Sequence, residues 1–160
     1  VVVEPSFRIT YRAPLTTLMQ KRQWNAEIEK PSWTAVGLHH KRAHIAKHFT
    51  AAGAAEYGYA TRSRKYTAAK QRKFGHTLPL VYSGEMKANC RAPEIRATSK
   101  GCKVVLQARK ANRRNPKSRA NMAAELRQVS AAEAAQLARE KDRAMIRRIR
   151  AARGSETKQI

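Results

Sequence analysis

Acidic residues are scarce in this chain. Eleven Asp and Glu stand against 34 Lys and Arg, a formal net charge of +23 over 160 residues. Asp142 is the single aspartate, and it falls between Lys141 and Arg143 in a helical stretch, the ordinary setting of an ion pair. Glu27 and Glu29 are two apart in a predicted helix and point to different faces. General acid–base work therefore finds little to use, and no nucleophile–base motif is present. An enzyme is not expected.

Other shortages bound the answer further. Two cysteines, Cys90 and Cys102, do not make a disulfide framework; they read as a reduced pair that a hairpin could bring close. Aromatics are 6% of residues, and much of the 42% apolar content is alanine, so one small core and a thinly packed helix are expected. No apolar run is long enough to span a membrane, and "VVVEPSF" does not read as a signal peptide. The expectation is a soluble intracellular product with no membrane partner.

What is present is cationic charge. A field of this sign repels copies of itself and attracts polyanions, with nucleic acid the usual partner through phosphate contacts. Two basic stretches carry it: residues 61–75, with Arg62, Arg64, Lys65, Lys70, Arg72 and Lys73, and residues 109–119, with Arg113 and Arg114. These eight are the candidate contacts to nucleic acid or to a neighbouring subunit. The first stretch follows directly on "EYGYA", where Tyr57 and Tyr59 precede Tyr66. Such tyrosines either stack on bases or anchor the segment to the core. No KH or RRM signature accompanies them.

Periodicity outlines the fold. "FRITYR" (7–12) alternates as a half-buried strand does, and Pro14 ends it. Residues 15–30 predict a short helix stopped near Pro31, and 33–52 an amphipathic helix through Trp33, Val36, His40, His44 and Phe49. Gly53 and Gly58 are expected to loosen the chain. Pro79 suits a strand start or an edge, with Leu80, Val81 and Tyr82 as β-formers before a Ser83-Gly84 turn. Residues 94–98 and 102–108 predict a hairpin about "SKG", and "MAAELRQV" a short helix. Ser130 and Glu133 form a capping box that opens a long helix with Leu137, Lys141, Met145 and Ile149 in a narrow stripe, ended by Gly154. The fold class is α+β: a small antiparallel sheet with a hairpin, packed by helices, and a long C-terminal helix. The divisions are an N-terminal extension (1–32), a core (33–129), the C-terminal helix (130–154) and a tail (155–160).

His40, His44 and His48 recur every four residues, as metal ligands on a helix would. No acidic or thiol ligand accompanies them and Lys41, Arg42 and Lys47 surround them, so a polar or partly buried helix face is the reading. No metal and no cofactor is assigned. "GAAEYGYA" has P-loop-like glycine spacing but lacks the Lys-Ser/Thr that would hold phosphate.

Taken in order, a helix ending near Phe49, "YGY..RS.KY...K" (57–70), "PLVYSGEM" (79–86), the hairpin and "AELRQVSAAEAAQLA" (124–138) resemble the virion morphogenesis proteins of tailed phages. This is the tail-completion or neck family of the head–tail connection. The resemblance covers roughly residues 44–153. It implies a structural virion protein that assembles as a homo-oligomeric ring around the DNA channel, meeting other connector and tail proteins and touching DNA without sequence preference. Localisation would be the virion neck or tail, after assembly in the host cytoplasm. The alternative is a basic ribosomal or other RNA-binding protein.

Overall fold

The computed structural model describes residues 2–3, 18–81, 83–108, 111 and 120–156. The strand expected over 7–12, Tyr82 and most of the second basic stretch, Arg113 and Arg114 included, lie outside the described residues. Within them the chain is α+β, with a small antiparallel sheet, packing helices and a long C-terminal helix.

Among the described residues helical structure begins at α1 (Leu18–Trp24), passes through a π turn (Asn25–Glu29) and continues as α2 (Lys30–Ala43). Pro31 does not stop it, contrary to the sequence expectation, and the division drawn after residue 32 falls inside this stretch. A proline lacks the amide that an α-helix interior needs and crowds the preceding turn. Here it occupies the first positions of α2, directly after the widened π turn, where the missing donor costs least. A 3-10 turn (Ile45–Phe49) and α3 (Ala51–Glu56) follow. Gly53 loosens nothing: it is buried inside α3, where a Cβ would stand 2.0 Å from the Lys47 carbonyl oxygen. Gly58, at φ 62°, makes the turn instead.

After α4 (Arg64–Phe74) the expected strand near Leu80 is absent. Leu80 is buried at φ 54°, a left-handed conformation that no strand residue adopts, so 76–81 is an irregular connection. Next come α5 (Glu85–Asn89) and the hairpin of β2 (Glu94–Ala97) and β3 (Cys102–Val105), with Ile95 opposite Val104 and Ala97 opposite Cys102. A two-residue β1 (Val2–Val3) pairs with the other edge of β3, giving the order β1-β3-β2. Cys90 and Cys102 are both buried and free, and burial pushes each thiol up to about 11.

Helix α6 (Met122–Glu125) leads to α7 (Ala131–Glu156), which runs through Gly154 and does not end there. Its capping box forms as the sequence indicates: Glu133 N donates to Ser130 Oγ and Ser130 N to Glu133 Oε2, each at 3.2 Å. The stripe of α7 packs against α2 of the same chain, so its neighbour is internal. Trp33, Val36, Cys102 and Leu137 form one apolar cluster there. A second gathers Ile45, Phe49, Leu80, Val81, Met86, Cys90, Val104 and Leu126. Lys141 is buried in the stripe because its ammonium donates to Glu29 at 2.7 Å and sits over the Trp33 ring.

Candidate nucleic-acid or subunit interface

The first basic stretch folds as α4, a helix that its sequence barely announces. Ser63 caps its start by accepting from Tyr66 N, and Gly75 ends it in the left-handed conformation, its amide bonded to the Gln71 carbonyl. Arg72 and Lys73 fall in the last turn, where cations complement the helix dipole. No acidic residue interrupts the helix.

The six described candidates divide in two. Arg64, Lys65, Arg72 and Lys73 are exposed. Arg64, Arg72 and Lys65 share an arc of about 100°, with Lys73 further round. Arg62 and Lys70 turn inward. The Arg62 guanidinium grips Glu125 with both arms, at 2.8 and 2.6 Å, and donates to the Ala60 carbonyl at 2.5 Å. Its donor fork is thus occupied within the fold. Lys70 is only 4% exposed; its ammonium donates to the Leu78 carbonyl and lies 5.8 Å from the Tyr66 ring centre. Burial, and then the nearby Arg62, lower its pKa. Arg62 ties the residues just before α4 to α6, and Lys70 ties α4 to the connection that follows it.

The tyrosines divide likewise. Tyr57 and Tyr59 pack inward beside His48, with Tyr57 stacked on the imidazole at 4.3 Å between ring centres, while Tyr66 is exposed. Tyr57 Oη donates to Glu133 Oε1 at 2.5 Å, and Tyr59 Oη pairs with His48 Nδ1. Burial first, then the nearby carboxylates, raise both phenols above their ordinary range. Glu133 is fully buried at the start of α7, with His44 Nδ1 at 3.0 Å and Lys47 Nζ at 3.6 Å. Burial alone would raise its pKa. The hydrogen bonds from Tyr57 and Ser130, with His44 and Lys47 nearby, outweigh that and hold the carboxyl below its ordinary value.

The histidines of the i, i+4 series are not a surface face: His40, His44 and His48 are all buried, the last in the 3-10 turn. Burial lowers all three, His40 and His48 to about 4, so they are neutral at pH 7. Among the described residues no three His, Cys, Asp or Glu side chains are placed to share a metal ion. The arrangement can orient and brace; what it presents outward is a row of cations on α4. Sequence reasoning found Glu133 only as a cap. Its second role, and that of Glu125, depend on partners 76 and 63 residues away, for which no local signal exists.

No protein-family model, curated protein or solved structure matches this chain.

Proposed function

We propose that the protein is a structural component of a tailed-phage head–tail connection, a ring-forming tail-completion or neck protein around the DNA channel. One observation carries the reading. Of the residues in the resembling segments, Tyr57, Tyr59, Arg62 and Lys70 with Glu125 and Glu133 are spent on one another, on His48 and on the backbone inside the fold, while Lys65 and Tyr66 are exposed. A motif built of internal braces belongs to a scaffold, whereas a catalytic motif would keep its polar groups aimed at a cleft. The exposed cations of α4 then supply contacts to phosphate or to an acidic neighbour, positioning without reading sequence. A ring of copies uses head-to-tail contacts between two different patches, which suits a chain with a braced interior and distinct outer faces.

The test is assembly of the purified protein in the absence of nucleic acid, followed by native mass spectrometry and negative-stain imaging. A closed ring is expected. A protein that stays monomeric and binds structured RNA tightly, with a steep salt dependence, sinks the reading in favour of the RNA-binding alternative.

A further inference from the structure

One side of α7 is rich in arginine along its C-terminal half. At 100° per residue, Arg139, Arg150, Arg143 and Arg147 fall within an arc of about 80°, and all four are exposed. Exposed Ala132 and Gln136 share that arc nearer the start of the helix, Ala135 and Ile146 border it, and exposed Arg148 lies on the opposite side. From Arg139 to Arg150 the ridge runs about 16 Å at 1.5 Å per residue, with successive arginines about a turn apart.

At the head of the ridge α7 and α2 border a cleft of about 360 Å³, lined by His39, Gln136, Arg139, Glu140 and Arg143. Two arginines, a glutamine, a histidine and a glutamate line it from two helices. Guanidinium forks match phosphate oxygens two at a time, and a pocket with several converging polar groups is how such a ligand is oriented. The single carboxylate lining the cleft, Glu140, already accepts from Arg147 Nη2 at 3.1 Å. An exposed pair of that kind is weak and exchanges readily for a phosphate.

We propose that this ridge, with the cleft at its head, binds a phosphodiester backbone, and that α7 is the principal DNA-contacting element of the protein. The inference rests on the function proposed above for taking DNA as the polyanion. It goes further in naming a surface outside the basic stretch 61–75. The α4 cations are solvated on one helix; the α7 ridge adds a cleft formed with a second.

The experiment uses a labelled random-sequence DNA duplex and the full chain, with binding followed by anisotropy from about 50 to 200 mM salt. Arg139→Ala/Arg143→Ala is compared with Arg64→Ala/Lys65→Ala and with the charge-keeping Arg139→Lys/Arg143→Lys. Circular dichroism verifies that each variant is folded. The expected result is at least a roughly ten-fold loss of affinity near 100 mM salt in the α7 alanine variant, with the salt slope flatter by about 2. The lysine variant should recover most of the slope. Wild-type affinity and slope in the α7 alanine variant overturn the inference, whatever the α4 variant does. So does a wild-type protein that leaves the duplex unbound at the lowest salt, or one that prefers an RNA hairpin. Ring assembly, read on the same samples without DNA, is scored separately. A missing ring with an intact ridge effect sinks the connector reading alone, and a ring without a ridge effect sinks this one alone.

Discussion

Residues 57–74 contain two populations of the same chemistry with opposite uses. Tyr57, Tyr59, Arg62 and Lys70 face inward and are bonded to His48, Glu125, Glu133 and the Leu78 carbonyl. Arg64, Lys65, Tyr66, Arg72 and Lys73 face water. Composition cannot separate them, because both sets are Arg, Lys and Tyr. Burial does. An inward cation needs partners within the fold, whereas an outward one can rely on water and adds field. The charge of +23 is therefore not all available to a partner.

The comparison can be broken in several ways, beginning with pH. His40 and His48 are held at about 4 in the fold against an ordinary 6.5, so unfolding takes up protons between those values. Stability should be full above pH 6.5 and fall as the pH drops towards 4. Going from about pH 7.5 to 5 should cost about 2 kcal/mol for each of the two histidines. Glu133, whose pKa is depressed, adds to the loss only below its ordinary 4.5. Urea midpoints at the two pH values measure this; unchanged midpoints would mean the histidines are not buried neutral.

Glu133→Ala should cost about 3 kcal/mol in urea unfolding at neutral pH, because it strands the Tyr57 hydroxyl and the Ser130 amide. Arg62→Ala should cost about 2 kcal/mol by leaving Glu125 buried and unpaired. Arg62→Lys should recover only part of that, since an ammonium cannot copy the fork. The smallest effect on stability belongs to the outer set. Each of Arg64→Ala, Lys65→Ala, Arg72→Ala and Lys73→Ala should change it by no more than about 0.5 kcal/mol. An outer substitution as costly as Arg62→Ala would erase the distinction.

Elements whose signals are local were legible in the sequence. β-Formers on either side of a turn mark the hairpin, and Ser130 and Glu133 three apart mark the start of α7, whose Leu137 and Met145 are buried. Helix α4 shows in the sequence only as a basic, polar segment because it has no apolar stripe. Its Ser63 cap and Gly75 stop were the available signals. The Leu80-Val81 pair suggested a strand through propensity, which the irregular path around Leu80 overrode. Pro31 suggested a stop because a π turn cannot be anticipated from the residues that precede it. The site divided along the same line. Outward cations were visible as charge, while the inward ones depended on carboxylates far along the chain.

That distance has a consequence for synthesis. Tyr57 must wait for Glu133, 76 residues later, and Arg62 for Glu125, 63 residues later. At cellular elongation rates the first interval is roughly 4–15 s. Until then the Tyr57 hydroxyl, and the part of the Arg62 guanidinium that does not reach the Ala60 carbonyl, must be served by water. A chain halted before α6 should therefore leave these groups hydrated, and the arrival of two glutamates completes their bonding.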